Sequence, residues 1–230
     1  MKKLIPGIAV ILVFLVIIFS FNRTENQAAQ RGEIMELPEP QRTGDVSLEE
    51  TLEDRRSRRQ FDDVSLDSEQ LSQLLWAGQG ISDERRNFRT APSAGALYPL
   101  ETFAAISNVD GLEPGLYRYM PEEHALEKIM EGDLSDQLQS DALGQEWVGA
   151  APLNIILTAL YERIVPRYGD RAERYTHMEV GHAAQNVYLQ AEALGLGTVA
   201  IGAFSDEGVS QTLQLEDEEP LMILPVGKPR

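Results

Sequence analysis

Four arginines stand within five residues in the stretch Arg55-Arg56-Ser57-Arg58-Arg59. A guanidinium group carries a permanent charge and a planar fork of donors that fits phosphate oxygens, and a serine hydroxyl between two such groups adds a further donor. The alternative is a helix C-terminus, which favours cations. A helix end accounts for one or two of these charges, and adjacent like charges repel each other. Both interpretations stay open on this stretch alone.

The overall charge makes the arginine stretch unusual. The chain has 20 Lys and Arg against 37 Asp and Glu, a formal net charge of −17. This balance argues against nucleic acid, whose binding depends on neutralising phosphates. No metal site is indicated, because the 3 histidines lie far apart and there is no cysteine. Other basic groups suggest local anion sites: Arg85, Arg86, Arg89; Arg163, Arg167, Arg171, Arg174; and Lys228, Arg230.

Small residues mark two further stretches that could approach a ligand. In "PSAGALYP", the residues Pro92–Gly95 would let the backbone touch a flat molecule, or would form an ordinary tight connection. Gly202 and Ala203 follow an apolar run, where backbone N–H groups can point at a ligand. Lys228 and Arg230 after the last apolar run either frame an anion or form a solvated tail.

The longest helical segment carries His182, Gln185 and Asn186 at i, i+3 and i+4, so that all three share one face. Their neighbours are largely apolar, and buried polar groups need hydrogen-bond partners. Contact with a ligand, a satisfied core histidine and the polar edge of a helix are all compatible with this pattern.

Hydrophobic periodicity predicts an α+β domain, because helices and strands are mixed without strict alternation. Ser47 and Glu50 form a capping-box pattern that opens the first helix. Further helices are predicted from Asp67 or Ser68 to Gly78, over 134–144, over 174–195, and after Ser205. Strands are predicted over 102–109, 115–120, 125–130, 152–160, 198–204 and 220–227, and the strand over 152–160 is predicted to be central.

The N-terminus predicts a membrane segment. Leu4–Phe21 is an uncharged apolar run long enough to span a bilayer, and Lys2 and Lys3 precede it. We interpret residues 1–21 as a signal anchor or transmembrane helix, with a cleaved signal peptide as the alternative. The positive-inside rule then places the globular domain outside the cytoplasm. Residues 22–45 are polar and predict a linker, followed by the domain over 46–230.

Five stretches, "RRSRRQF", "PSAGALYPLE", "RYGDRAERYTHMEVGHAAQN", "GLGTVAIGAF" and "PVGKPR", together resemble the nitroreductase-like flavoproteins in order and spacing. They look most like the SagB-type branch, the FMN-dependent azoline dehydrogenases and their stand-alone relatives. The resemblance covers about residues 50–230. It implies a nitroreductase-like α+β fold, with a mixed, mainly antiparallel sheet flanked by helices, and a homodimer with FMN at the subunit interface.

The resemblance also implies roles for individual residues. Arg55, Ser57 and Arg59, with Arg56 beside them, would hold the FMN phosphate and ribityl chain, closed by Lys228 and Arg230. Other positions implied around the isoalloxazine ring are Pro92, Ser93, Ala94, Gly95, Gln185, Asn186, Ile201, Gly202 and Ala203. Some relatives use a Lys-Tyr pair as a base, which this chain lacks; Tyr98, Tyr168, Tyr175 and His182 are the candidates for proton transfer.

We therefore expect an FMN-dependent oxidoreductase with ping-pong hydride transfer and a nitro, quinone or heterocycle substrate. NAD(P)H as a donor would bind transiently, because no Rossmann fingerprint is present. The alternatives are an azoline dehydrogenase of peptide maturation, a membrane-tethered flavin-binding or interaction module without turnover, and docking of the arginines on anionic lipid.

Overall fold

The computed structural model describes residues 32–230 and confirms an α+β fold. The α-helices are α1 (Leu48–Asp54), α2 (Ser68–Gln79), α3 (Ser135–Asp141), α4 (Glu146–Gly149), α5 (Val165–Tyr168), α6 (Ala172–Ala193) and α7 (Asp206–Leu213). The strands are β1 (Ile34–Glu36), β2 (Ile81–Asp83), β3 (Phe88–Arg89), β4 (Leu100–Ile106), β5 (Gly115–Met120), β6 (Ala125–Glu131), β7 (Leu153–Ala159), β8 (Gly197–Thr198) and β9 (Glu219–Gly227).

A seven-stranded sheet in the order β1-β6-β5-β4-β7-β9-β8 forms the middle layer. The β4–β5, β5–β6, β4–β7, β7–β9 and β8–β9 pairs are all antiparallel. The run predicted as a central strand is β7, which pairs on both sides and is buried at every residue. β2 and β3 form a separate hairpin.

The apolar character of β7 follows from helices that cover both faces of the sheet. Successive side chains on a strand point to opposite faces. Ile155 and Leu157 pack in one core cluster with residues of α2 and α6, whereas Ile156 packs in a second cluster with residues of α3, α4 and α7. Because each face meets a helical layer, neither set of alternating residues needs to be polar.

Side-chain caps determine where three of the helices begin. Ser47 and Glu50 form the predicted capping box of α1, with Glu50 N–H donating to Ser47 Oγ at 3.2 Å and Ser47 N–H donating to Glu50 Oε2 at 2.9 Å. Asp67 caps α2 and Ser205 caps α7, as predicted. The end of α2 lies at Gln79, one residue beyond the predicted stop.

The predicted strand over 198–204 is wrong in its length. Only Gly197–Thr198 forms a strand, and Ile201 makes an isolated bridge to Ile223. Apolar composition alone favoured the longer strand, but the chain leaves the sheet after Ile201, so that Gly202 and Ala203 are exposed.

The N-terminal predictions fall mainly on residues 1–31, which lie outside the described residues. The signal anchor over 1–21 therefore stays a prediction; over residues 32–230, the structure has no helix of the length and apolarity required to cross a membrane. Where the predicted linker over 22–45 is described, it differs from that expectation. Ile34–Glu36 forms the edge strand β1, and Gln41 N–H donates to Gln73 Oε1 at 2.8 Å.

Candidate active site

The arginine stretch is extended and lies alongside β8. Helix α1 ends at Asp54, Ser57 makes a parallel bridge to Thr198, and Arg58 N–H donates to Thr198 O at 2.9 Å. The helix-end interpretation explains only part of the stretch: Nη1 of Arg56 donates to the carbonyls of Glu53 and Arg55 at 2.7 and 2.8 Å. The other guanidinium groups lie beyond the helix and need a different explanation.

Arg55 and Arg59 are cations without an acidic partner. The guanidinium of Arg55 lies over the Tyr188 ring at 5.2 Å, and that of Arg59 lies over the Trp147 ring at 5.6 Å. Across the described residues, neither group forms an ion pair. Arg58, in contrast, pairs with Glu192 at 3.5 Å. The stretch thus combines two arginines that bind their own domain, Arg56 and Arg58, with two that are free to neutralise an anion.

Tyr188 joins the arginine stretch to the backbone after β8, and sequence analysis missed it. Its hydroxyl lies 3.1 Å from Ser57 Oγ and accepts the N–H of Ala200 at 2.7 Å. Tyr188 is far from both partners along the chain, so that no local pattern indicated the contact. The hydroxyl fixes the spacing between the predicted phosphate-binding residues and the loop that carries Gly202.

The backbone at Gly202 is open. A Cβ atom added at Gly202 would have no neighbouring atom within 4 Å. The carbonyl of Ala203 accepts a hydrogen bond from Gln145 Nε2 at 2.9 Å, and the same nitrogen donates to Ala142 O at 2.9 Å. Gln145, which sequence analysis also missed, therefore holds this exposed backbone to the α3–α4 connection, while Ile201 is buried beneath it.

The C-terminal tail pairs with the residues that directly follow the arginine stretch. Arg230 N–H donates to Gln60 O at 3.2 Å, and Asp62 N–H donates to Lys228 O at 2.8 Å. This brings the two basic segments together; the role of Lys228 and Arg230 at a phosphate stays a prediction. The guanidinium of Arg230 lies 3.4 Å from Asp62 Oδ1, whereas Lys228 is exposed.

The Pro92–Gly95 loop packs against α5 and α6. Gly95 has φ +64°, and a Cβ atom there would lie 2.8 Å from Tyr168 Oη and 3.0 Å from Arg167 Nη1. Both the backbone conformation and this close approach favour glycine. Pro92 is exposed, while Ser93 and Ala94 are half-buried. Ser93 Oγ accepts the N–H of Tyr98 at 3.0 Å, which closes the loop.

Glu179 is a buried carboxyl behind this loop that sequence analysis did not single out. Its exposed fraction is 1%, and it lies next to the side chains of Ser93, Gln79 and Arg89. Burial raises the pKa of Glu179 to about 7, against the opposing effects of Ser93, Arg89 and Gln79. The side chains of Ser93 and Gln79 are close enough to influence the carboxyl group. Neither forms a well-aligned hydrogen bond, so that both carboxyl oxygens lack a partner in the described chain.

The predicted face of the long helix divides into exposed and groove-lining residues. His182 and Gln185 are exposed, so that a buried core histidine is the wrong interpretation, whereas a polar helix edge fits these two residues. Asn186 is half-buried and lines a groove of about 1040 Å³ between α6, α2 and residues 41–46. Of the three residues, Asn186 is the one placed in a cavity that could receive a ligand.

Two of the candidate tyrosines lie at the Pro92–Gly95 loop. The hydroxyl of Tyr98 accepts the N–H of Arg89 at 3.2 Å, and the Arg89 guanidinium lies 4.8 Å from its ring. Tyr168 approaches Gly95, and its ring packs edge-on against Tyr175 at 5.0 Å. The hydroxyl of Tyr98 is therefore engaged by the protein, and Tyr168 is the tyrosine that faces the loop.

Comparison with known proteins settles the family. The profile of the Nitroreductase family matches residues 52–228. The chain belongs to the nitroreductase family. A relative from Methanocaldococcus jannaschii, described as the nitroreductase MJ1384, is 45% identical over 197 residues, which cover 86% of this chain and 98% of that protein. A nitroreductase structure from Ralstonia eutropha has a TM-score of 0.76 at 34% identity, covering 86% of this chain and 90% of that one.

The peptide-processing relatives are more distant. The microcin B17-processing protein McbC of Escherichia coli is 29% identical over 142 residues, which cover 59% of this chain and 52% of McbC. A chain in the structure of the E. coli microcin synthetase McbBCD complex has a TM-score of 0.67 at 24% identity and covers 89% of this chain and 80% of that chain. The similarity to the McbBCD chain shows that the two chains share a fold.

Nitroreductase-family proteins generally bind FMN, commonly form homodimers and use NAD(P)H. The residues present here fit an FMN phosphate, because Arg55 and Arg59 have no acidic partner within residues 32–230 and the stretch also carries the Ser57 hydroxyl, 3.1 Å from that of Tyr188. The backbone at Gly202 leaves room for a ligand, because no protein atom lies within 4 Å of a Cβ added there. The family assignment makes this chain an oxidoreductase.

Proposed function

We propose that this protein is an FMN-dependent oxidoreductase that transfers a hydride between a nicotinamide donor and a small nitro or quinone acceptor. The observation that carries the proposal is the pair of cations at Arg55 and Arg59, which have no acidic partner among the described residues. Arg55 lies over the ring of Tyr188, whose hydroxyl binds Ala200 in the loop that carries Gly202. A charge of this kind in an otherwise acidic chain favours a bound anion. Loss of FMN binding on removal of both guanidinium groups is the direct test of this site.

In this proposal the arginine stretch and the C-terminal tail hold the cofactor's phosphate. Arg55, Ser57 and Arg59 donate to it, and Lys228 and Arg230 approach from the tail. Arg56 contributes charge and stabilises the end of α1. The backbone N–H groups of Gly202 and Ala203 contact the ring edge. When bound, FMN supplies the ability to accept a hydride from one substrate and pass it to another.

We propose that the functional unit is a homodimer in which the Pro92–Gly95 loop contacts the flavin bound by the partner subunit. The support is an exposed apolar surface on and before α1. Val46, Leu48 and Leu52 have exposed fractions of 43%, 59% and 53%. Large apolar side chains grouped at the surface favour a protein–protein contact. Asn186, with Gln185 beside it, lies on the part of α6 that borders the nearby groove.

Among Tyr98, Tyr168, Tyr175 and His182, the candidates from the sequence, we propose that Tyr168 is the residue that contacts the acceptor at the Pro92–Gly95 loop. Its hydroxyl approaches Gly95 in the loop expected to line the flavin, whereas the hydroxyl of Tyr98 accepts the N–H of Arg89. Tyr175 packs behind Tyr168. His182 is exposed on α6.

Dehydrogenation of an azoline heterocycle is the second candidate activity. The similarity to McbC, a microcin B17-processing protein, favours it. The absence of a Lys-Tyr pair from the sequence argues against it. A third candidate is a flavin-binding module without turnover.

The experiment that separates these activities is steady-state turnover of the purified, FMN-loaded protein. We expect NADH oxidation to depend on an added nitroaromatic or quinone, with ping-pong kinetics. A thiazoline-containing peptide should give no oxidised product. Oxidation of the peptide without reduction of the quinone would support the azoline activity instead. If neither reaction occurs and no donor bleaches the flavin absorption, the binding-module function is supported and our proposal is wrong.

A further inference from the structure

Glu179 lies in a setting that a purely structural carboxyl group does not require. It is on α6, with an exposed fraction of 1%, and both of its oxygens lack a well-aligned hydrogen bond in the described part of the chain. The Nε2 atom of Gln79, on α2, is also buried without a hydrogen-bond acceptor there. Native proteins rarely leave buried polar atoms unpaired, and such atoms are common at functional sites.

The hydrogen bonds around Glu179 leave specific donors free to reach it. Gln79 Oε1 accepts from Arg89 Nη1 at 3.0 Å, so that the amide nitrogen of Gln79 is directed away from Arg89. Ser93 Oγ accepts the N–H of Tyr98 at 3.0 Å, and its own hydrogen is therefore available. Both neighbours can thus donate to a charged Glu179, and the Ser93 hydroxyl can instead donate elsewhere when Glu179 is neutral.

Charge compensation around Glu179 is incomplete. Arg89 is the cation on this side, and it is shared with Glu122, which lies 3.5 Å from its Nη2 atom. The other groups that face Glu179 from the packed elements, Gln79 on α2 and Ser93 in the loop, are neutral. The ring of Tyr98 lies 4.8 Å from the Arg89 guanidinium. A carboxylate in this place is only partly neutralised, and it gains by binding a proton.

We propose that Glu179 and Ser93 form a proton relay that delivers a proton from inside the domain to the substrate side of the Pro92–Gly95 loop. This inference rests on the proposed function, because it assigns the substrate to that side of the loop. Ser93 connects the two environments: its side chain lies next to Glu179, and it is a half-buried member of the loop that exposes Pro92 and Gly95.

The relay conserves protons and electrons. Reduction of a quinone takes two electrons and one hydrogen as a hydride from the nicotinamide donor, and it needs one proton in addition to give the hydroquinone. The Ser93 hydroxyl gives its proton to the acceptor oxygen and takes the proton from the Glu179 carboxyl group. Glu179 is left as a carboxylate, to which Ser93 and Gln79 donate, until it is protonated again from solvent.

The proton on Glu179 can be tested first without any cofactor, by denaturant unfolding of the flavin-free protein across pH. The folded-state pKa of about 7 is above the value of 4.5 for a free glutamate. The protonated carboxyl therefore contributes stability that is complete below the unfolded pKa and is lost as the pH rises through about 7. We expect Glu179→Gln to remove this loss. Glu173→Gln, an exposed carboxylate on the same helix, should retain it.

The transfer step is tested in the FMN-loaded enzyme with Glu179→Gln, Ser93→Ala and Ser93→Thr. We expect the first two to lower kcat for quinone reduction by about 100-fold, a typical contribution of positioned proton transfer. Ser93→Thr, which keeps the hydroxyl, should restore most of the activity. In the wild type kcat should fall as the pH rises through about 7, and this dependence should be absent in Glu179→Gln.

Either of two kinetic results would overturn the relay while leaving the proposed function intact. One is equal activity of Ser93→Ala and Ser93→Thr; the other is an unchanged pH profile of kcat in Glu179→Gln. If the wild type does not bind FMN, the proposed function fails by itself, and the flavin-free unfolding profiles still decide whether Glu179 carries a proton near neutral pH. Unfolding profiles that are identical in the wild type and in Glu179→Gln would exclude that proton and the relay with it.

Discussion

Replacement of both Arg55 and Arg59 by alanine is expected to strip FMN from the protein. Neither guanidinium has an acidic partner in the described residues, so that removing them leaves no uncompensated carboxylate behind. Each charge-assisted hydrogen bond contributes about 1.5–3 kcal/mol, and the pair therefore about 3–6 kcal/mol. This corresponds to an increase of about 100-fold or more in the Kd for FMN, measured by fluorescence titration.

A matched control is the double substitution Arg85→Ala and Arg86→Ala. It removes the same charge from the β2–β3 hairpin, where Arg86 lies 4.0 Å from Asp83 and both arginines are exposed. This control should bind FMN as the wild type does. Full flavin content in the Arg55/Arg59 variant, or an equal loss in the hairpin variant, would show that the phosphate is held elsewhere.

Gly202→Val is the second change for which we expect a large effect. Because no protein atom lies within 4 Å of an added Cβ, the larger side chain should fit the flavin-free protein without strain. It would project into the space we assign to the flavin ring. Overpacking a filled site typically costs about 1–3 kcal/mol, which corresponds to an increase in the FMN Kd of about 10- to 100-fold.

The free energy of unfolding distinguishes a loss of FMN affinity at Gly202 from damage to the fold. The free energy of unfolding of flavin-free Gly202→Val should stay within about 0.5 kcal/mol of the wild type, as for an ordinary surface change. Gly202→Ala provides a graded comparison and should weaken FMN binding less than valine does. A variant that keeps its FMN affinity but unfolds more easily would mean that Gly202 serves the fold and does not face the cofactor.

The parts of the fold that depend on local patterns could be predicted from the sequence. The capping boxes at Ser47 and Asp67 join residues three apart, and the strand β7 is marked by its continuous apolar run. The arginine stretch, too, was recognised from composition alone. What its residues contact was not predictable: Tyr188 and Trp147 lie far along the chain, and no local spacing links them to Arg55 or Arg59.

The failures concentrate where the site departs from regular structure. An apolar run predicted a strand to Phe204, but the backbone leaves the sheet, and Ala200 N–H bonds to the Tyr188 hydroxyl instead of to a strand. Glu179 carried no signal, because a glutamate in a helix is normally solvated. Its burial depends on the packing of α2 and the Pro92–Gly95 loop against α6, which only the tertiary structure shows.

The most direct test of the central claim is the stoichiometry of FMN binding to the purified protein after incubation with excess FMN and gel filtration. We predict one FMN per chain, seen as a yellow protein with a flavin absorption band that persists through the column. A protein that emerges colourless, with all of the FMN in the small-molecule fraction, would contradict the assignment of the arginine stretch to a flavin phosphate.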